Sequence, residues 1–330
     1  RDGVLVGDGT GQLLQGIHCG LFTLAQRAGQ VYALSQRPEY AREFVWLIRR
    51  AQTHHDSKPT TYGGPWGMDS DFMIYRVLPA WDALEECPAL SDAERLEVSQ
   101  ILHRWVGDLI HKGRPQGRQV RFNHTTFPAL GGLYAGQYFE RYYNDAKAMQ
   151  WLRQAHEVFR FQASTTKPHC DCNSYQWLTV QHTMLYALAS GDLTYFENGN
   201  IRRLADYLLL SQNPRGDGVA YGDIGLWRSG RAGDSLLRGI YWYRPDPAVA
   251  WLLGNGQPAD LRPIVGGYGL PLGEQTPPPA WLGLASWPLD EAWHRSFAGV
   301  RTTPLERTFD KIACRSGYEP QAAYLLLDGL

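Results

Sequence analysis

The sequence lacks any apolar run near the ~18 residues that a membrane-spanning helix requires. It also lacks an excess of charge of either sign. Its 32 Lys and Arg stand against 33 Asp and Glu, for a net charge of -1, which excludes nucleic-acid binding driven by a global basic field. Cysteine is scarce, and five residues, an odd number, exclude a complete disulfide framework. No charged-then-apolar segment of secretory type is present, so the signal peptide of an exported protein would lie outside this chain. Charged residues at 20% and hydrophobic residues at 44% are ordinary for a globular protein and exclude intrinsic disorder. Aromatic residues are what the chain has in plenty, with 12 Trp and 18 Tyr. Such rings fill large cores and also stack on sugar faces. The 330 residues suit about two domains, or one large helical domain.

Most of the chain reads as helix. Ser91-Asp92-Ala93-Glu94 is a capping box: the serine oxygen accepts from a free backbone N–H and the glutamate reaches back. Behind it Leu96, Ile101, Leu102, Trp105, Val106, Leu109 and Ile110 recur at helical spacing and predict one apolar face. A similar pattern covers 39–50, with Pro38 suited to the first turn. Asp145 caps a helix carrying Met149, Leu152, Ala155 and Phe159. Asn173 caps the next, which carries Trp177, Val180, Met184, Leu185 and Leu188 and stops at Gly191. Shorter helices are expected at 201–210, 235–243 and 248–253. The links are short or rich in Gly and Pro, so consecutive helices are expected to form antiparallel hairpins. A series of hairpins stacks into a solenoid or closes into a toroid, and the absence of a repeat at fixed period argues against the solenoid.

The pattern changes late in the chain. Residues 255–281, with Pro277-Pro278-Pro279, read as a linker. Phe309, Ile312 and Cys314 lie in one extended run and Ala323 to Leu327 in another, with Arg315-Ser316-Gly317 and Glu319-Pro320 turning between them. The expected boundary is at 285, giving a helical domain over 1–285 and the first strands of a β domain over 286–330. Two or three strands are too few for an independent sheet, so the remainder of that domain is expected in polypeptide outside this chain.

Several motifs invite chemistry. Gly7-Asp8-Gly9-Thr10-Gly11 resembles a dinucleotide turn, but Gln12 stands where the third glycine belongs and no acidic partner follows at the required distance. It reads as a plain turn. His169-Cys170-Asp171-Cys172 is half a zinc site without a second pair. The 31 residues from 109 to 139 contain no Asp or Glu, yet hold His111, Lys112, Arg114, Arg118, Arg121 and His124. In a nearly neutral protein such a stretch draws an anionic ligand to one place; the plainer reading is a solvated loop. The sequel, Asn123-His124-Thr125-Thr126-Phe127-Pro128-Ala129-Leu130, favours the ligand. It sets two hydrogen-bonding side chains at the start of an aromatic helix with Tyr134, Tyr138, Phe139, Tyr142 and Tyr143. Asn123-His124-Thr125 is also a glycosylation sequon; a working Asn123 must be unglycosylated, which favours a bacterial source.

These residues carry a resemblance. Asn123-His124 with Phe127-Pro128-Ala129-Leu130, then Asn173-Ser174-Tyr175-Gln176-Trp177, then Phe309-Asp310-Lys311-Ile312, Arg315-Ser316-Gly317-Tyr318 and Tyr324 to Gly329 together resemble the heparinase II/III-type polysaccharide lyases. The resemblance covers the chain from about Trp66 onward. It implies a mainly α protein: an (α/α) toroid of helical hairpins followed by the start of an antiparallel β-sandwich. It implies a secreted or periplasmic bacterial enzyme that cleaves a uronic-acid-containing polysaccharide by β-elimination, with an acidic polysaccharide or oligosaccharide as partner. Neither nucleic acid nor a membrane span is expected, and no cofactor is required in this chain. Some family members hold a structural divalent metal in the β-sandwich, beyond the segment present.

The chemistry makes specific demands. The C5 proton lies beside a carboxylate, which resists a second negative charge until it is neutralised or hydrogen-bonded. The resemblance assigns that role to Asn123, with His124 beside it. It assigns Tyr175 as the acid that protonates the departing O4, and in some substrate geometries as the base too. A free Tyr titrates near ~10 and is protonated at neutral pH; to act as base it needs positive charge nearby. Substrate-binding candidates are Arg118, Arg121 and Tyr134, with Trp66 of Gly63-Gly64-Pro65-Trp66-Gly67 to stack on a sugar and Arg76 to pair with a carboxylate or sulfate. Tyr221-Gly222-Asp223 matches a family element, with Asp223 lining the groove or structural. The family draws a further His from its β-sandwich; His294 is the only histidine after His182 and falls in the linker, so that role is expected outside this chain, on a continuing or separate piece. Rivals are a toroidal glycoside hydrolase, which needs two carboxylates that the Asn123 neighbourhood lacks, a uronate epimerase, and a non-catalytic glycan-binding module.

Overall fold

A computed structural model describes residues 17–57, 74–110, 123–164, 173–214, 234–254, 272–277, 281–289, 291 and 303–329. The described residues are mainly α. They form eleven helices, α1 Ile17–Ser35, α2 Pro38–Ser57, α3 Ile74–Leu84, α4 Asp92–Ile110, α5 Asn123–Tyr143, α6 Ala146–Ala163, α7 Asn173–Ser190, α8 Thr194–Glu197, α9 Asn200–Leu210, α10 Asp234–Tyr243 and α11 Pro247–Gly254. Three strands, β1 Gly283–Trp287, β2 Lys311–Arg315 and β3 Tyr324–Asp328, make an antiparallel sheet in the order β1-β2-β3. The chain divides into two compact units, Arg1–Gln119 with His124–Phe159, and Val120–Asn123 with Arg160–Leu330.

The first unit is built from α1 to α5 and most of α6. Its core holds Phe22, Phe44, Ile48, Trp81, Leu102, Trp105 and Phe139. Trp81 stacks on Phe44 at 5.6 Å between centroids, and its indole N–H donates to Ser99 Oγ at 3.1 Å and Tyr138 Oη at 2.9 Å. A buried indole donor left unpaired costs stability, so this bridge fixes α3 against α4 and α5. On α5, Gly131 lets α3 come close. A Cβ there would lie 2.7 Å from Ile74 Cγ2, so any larger residue must displace the Ile74 side chain or the helix that carries it.

The caps read at Ser91 and Asp145 are present, while the Asn173 side chain lies outside the described set. Ser91 N–H donates to Glu94 Oε2 at 3.0 Å, and Glu94 N–H donates to Ser91 Oγ at 3.3 Å. Asp145 Oδ1 accepts from Lys147 N–H at 3.1 Å and opens α6. Its other oxygen, Oδ2, lies 2.7 Å from His103 Nε2. Partial burial pushes the Asp145 carboxyl up, but the hydrogen bonds from His103 and Lys147 outweigh it and hold the group below its ordinary value of 3.8. A depressed folded-state pKa contributes stability above the unfolded value and loses it as the pH falls through the folded one. We therefore expect Asp145→Ala to cost about 1 kcal/mol at pH 6, with the gap to the parent narrowing as urea melts are repeated at pH values falling below the ordinary 3.8. A constant gap would show that the charge of Asp145 contributes nothing.

The second unit carries α7 to α11 and the sheet. Val180, Leu204, Tyr207, Leu208, Leu237, Val249 and Leu253 form its core, with Trp281, Trp287 and Leu326 packed against it. β2 alternates strictly: Lys311, Ala313 and Arg315 are buried and Cys314 is exposed. Leu284, Leu325 and Leu327 are exposed with Cys314, and the register sets Cys314 opposite Leu284 and Leu325. The inner face carries two buried cations. Lys311 Nζ lies 2.7 Å from Asp310 Oδ1 and 2.7 Å from Asp328 Oδ1. Arg315 is held otherwise, and this clasp ties the sheet to α9. Its guanidinium lies over the rings of Tyr318 at 5.0 Å and Tyr324 at 4.7 Å. It donates to the Leu209 carbonyl at 3.2 Å and to the Gln212 carbonyl, while Tyr324 Oη donates to the Leu210 carbonyl at 2.7 Å. The last carbonyls of a helix have no partner inside it and carry partial negative charge; a forked, always charged donor suits them.

Tyr195 in α8 is 1% exposed, and among the described residues its hydroxyl finds no hydrogen-bond partner. Burial alone drives its pKa upward. An unsatisfied buried hydroxyl costs about 1–3 kcal/mol, so Tyr195→Phe is expected to raise the melting temperature or leave it unchanged. A clear fall would mean that the hydroxyl is hydrogen-bonded.

Some expectations need correction. β1 falls just after the segment read as a linker, and α1 and α3 were not singled out. Leu96, Met149 and Leu188, placed on apolar faces by spacing, are 54%, 44% and 45% exposed. Helical spacing marks a face but not its edge, and these three sit at the edge. Position 285, where the sequence places the boundary between 1–285 and 286–330, lies within β1. The motifs at 7–11, 63–67, 111–122, 169–172, 221–223 and His294 lie outside the described residues.

Candidate active site

Asn123 is the first residue of α5 and is 4% exposed. The first N–H groups of a helix have no partner within it and form a partly positive end. A side chain placed there is fixed by the helix behind it, which Phe127, Leu130 and Leu133 anchor in apolar surroundings. His124 is the next residue; its side chain lies outside the described set. Position 175 is the third residue of α7, again in a first turn, and the Tyr175 side chain also lies outside the described set. Arg118, Arg121 and Trp66 lie outside the described residues.

Two expected residues do come together, around a third that sequence reasoning passed over. Arg76 Nε donates to Tyr75 Oη at 2.8 Å, and the guanidinium lies over the Tyr75 ring at 5.2 Å. Tyr134 is close enough that Tyr75 affects its ionisation. Burial first, then Tyr75, raise the Tyr134 pKa above its ordinary value of 10.0, so the hydroxyl stays a proton donor at neutral pH. Tyr75 also packs on Phe127 at 6.0 Å between centroids. Phe127, Gly131 and Tyr134 recur at helical spacing on α5, so one face of that helix meets the start of α3. Tyr75, buried at 6% exposure, is the hub of this cluster. The only sequence signal for it was an aromatic residue directly before Arg76.

A second feature passed over is polar. On α7, Thr179, His182 and Thr183 are all buried, and Tyr186 with them. Positions 175, 179, 182 and 186 follow one another at helical spacing along one face. Thr183 donates to the Thr179 carbonyl at 2.9 Å within the helix. Gln162 near the end of α6 is likewise fully buried. Asn123, Gln162, Thr179, His182 and Thr183 thus give the second unit a buried polar set. The signal was visible as polar residues interrupting the apolar spacing of α7. Among the described residues no group of three His, Cys, Asp or Glu side chains is placed to hold a metal ion, and no helix is long and apolar enough to cross a membrane.

No protein-family model matches the sequence, and no curated protein matches it. Among solved structures, the crystal structure of heparinase III is similar, with a TM-score of 0.55 and 12% sequence identity over 92% of this chain. The match spans 43% of the heparinase III chain. The chain therefore has a heparinase III-like fold.

Proposed function

We propose that the chain belongs to a polysaccharide lyase that cleaves a uronic-acid-containing polysaccharide by β-elimination. The observation that carries this reading is the likeness of its fold to heparinase III. The motif resemblance at Asn123-His124 and Tyr175 supports it. In this reading Asn123, aided by His124, hydrogen-bonds the uronate carboxylate, so that the C5 proton becomes acidic enough to remove. Tyr175 protonates the departing O4, and in some substrate geometries takes the C5 proton first. Arg118, Arg121, Arg76, Trp66 and Tyr134 bind the sugar chain through charge and stacking. The helices over 1–285 form an (α/α) toroid, and the strands over 286–330 belong to a β-sandwich. No step needs a cofactor. The protein works outside the cytoplasm, in a secreted or periplasmic setting, where acidic polysaccharides are found.

The deciding experiment incubates the protein with alginate, glucuronan, heparan-type and ulvan-type glycans and follows ultraviolet absorbance. Elimination leaves a C4–C5 double bond conjugated with the carboxylate, which absorbs; hydrolysis and epimerisation leave none. Chain shortening without the chromophore would replace the lyase reading by a hydrolase, and isomerised uronate without shortening would point to an epimerase.

A further inference from the structure

The first unit has an open cleft of about 270 Å³ that the elimination chemistry does not use. Its wall on α4 is formed by Leu96, Gln100 and His103, which follow one another at helical spacing on one face. Phe139 and Tyr143, near the end of α5, and Asp145 complete it. Asn123 and Tyr143 are the two ends of α5, so the cleft lies ~30 Å along the helix from Asn123 at 1.5 Å per residue.

The cleft combines a ring platform with groups that bind hydroxyls. Tyr143 is 45% exposed and its neighbour Tyr142 54%, while Phe139 is buried beneath. Phe139 and Tyr143 are 5.6 Å apart between centroids, and Leu96 adds an exposed apolar edge. The Tyr143 hydroxyl is held by Glu85 Oε1 at 3.0 Å and Ser99 Oγ at 3.2 Å, which fixes the ring. His103 is fixed as well, by Asp145 at 2.7 Å and by Phe139 and Trp151 at 5.0 and 4.9 Å between centroids. Gln100 is exposed at the wall, with two amide donors and one acceptor facing solvent. A fixed aromatic surface beside a fixed imidazole and an exposed amide suits a pyranose, which offers an apolar C–H face and a rim of hydroxyls.

Charge selects among sugars. The lining residues include no Lys or Arg. Among the described residues Asp145 is the one acid in the lining, and the hydrogen bonds from His103 and the Lys147 N–H, with the Lys147 charge outside the lining, keep it ionised. An incoming carboxylate or sulfate would meet the Asp145 carboxylate in the lining, whereas a neutral residue carries no charge for it to repel. The volume lies just under the ~300 Å³ at which ligand pockets begin, room for a single ring. We propose that this cleft binds one uncharged pyranose residue of a glycan, as a carbohydrate-binding site apart from the end of α5 that carries Asn123.

The test is titration of the 15N-labelled protein with the methyl glycosides of glucose, galactose, mannose and N-acetylglucosamine, with methyl glucuronide as the charged control. At least one neutral glycoside is expected to shift the His103 side-chain and Gln100 amide resonances with a millimolar Kd, and the glucuronide to bind at least tenfold more weakly. Gln100→Ala, a surface change, should weaken the neutral glycoside by tenfold or more while its melting temperature and any turnover stay those of the parent. Tyr143→Ala should abolish the shifts; should that variant fail to fold, Gln100→Ala decides. Asn123→Ala should bind the glycoside as the parent does, so this outcome is independent of the lyase reading. Absence of shifts with all four neutral glycosides, equal or tighter binding of the glucuronide, or unchanged binding in Gln100→Ala would overturn the proposal.

Discussion

Under the proposed elimination, Tyr175→Phe is expected to lower turnover by ~10²–10⁴-fold, the usual cost of a lost general acid or base. That is about 3–5 kcal/mol of transition-state stabilisation. The change removes one hydroxyl and keeps the ring. Substrate binding should therefore survive, and the loss should fall on kcat rather than KM. Asn123→Ala is expected to lose a similar factor for another reason. Without its amide the uronate carboxylate keeps its full charge, and the C5 proton stays too weakly acidic to be taken. Both residues serve one elimination, so the double variant should lose far less than the product of the two factors. Initial rates of ultraviolet absorbance, with thermal melts of each variant, are the measurement. If Tyr175→Phe kept near-parental turnover and melted well below the parent, Tyr175 would be a core tyrosine and the site would lie elsewhere.

Arg315→Ala is expected to cost about 3 kcal/mol of stability or more. Hydrogen bonds from a charged donor contribute ~1.5–3 kcal/mol each, and this residue makes two, to the carbonyls of Leu209 and Gln212. Its removal leaves both acceptors short of a partner and empties the space between the Tyr318 and Tyr324 rings. Arg315→Lys should recover only part of the loss, because a shorter side chain ending in an ammonium keeps the charge but not the reach of Nη2 to the two carbonyls or the planar face that lies over two rings. Burial pulls the Arg315 pKa down, yet arginine has so much margin that it stays charged at every pH at which the fold survives. The loss should accordingly be the same at pH 5 and pH 8. Urea unfolding curves of the three proteins give the comparison, and a cost for Arg315→Ala below about 1 kcal/mol, no more than an ordinary surface change, would show that the clasp is incidental.

The cation clasp shows what a linear reading misses. Leu209 and Arg315 are 106 positions apart, and nothing near either residue announces the other. β1 was missed for a related reason. Gly283-Leu284-Ala285-Ser286-Trp287 has little alternation of its own and follows a proline-rich stretch. It becomes a strand because β2 supplies a ladder, with Gly283 opposite Arg315 and Trp287 opposite Lys311. α3 carries Pro79 within it, a residue that reads as a helix breaker.

What the sequence determined alone was local. The Ser91–Glu94 box, the Asp145 cap, the stop at Gly191 and the extended runs of β2 and β3 each act within a turn of helix or a few residues of strand, although which face of β2 turns inward, with Lys311 and Arg315 buried and Cys314 exposed, was not among them. Their free energy is set by neighbours in the chain, so they are legible without a fold. The mainly α class followed from them, and so did the start of α5 at Asn123 and of α7 at Asn173, the two first turns on which the proposed chemistry rests. Tertiary structure alone decided which apolar residues are core and which are rim. It gathered Tyr75, Arg76 and Tyr134 into one cluster, and buried Thr179, His182 and Thr183, polar residues that the spacing of α7 showed without showing that they lie inside. It made a cleft from Leu96 and Tyr143, which spacing and composition had assigned to a helix face and an aromatic run. These outcomes depend on contacts between elements far apart in the chain, and such contacts leave no periodicity to read.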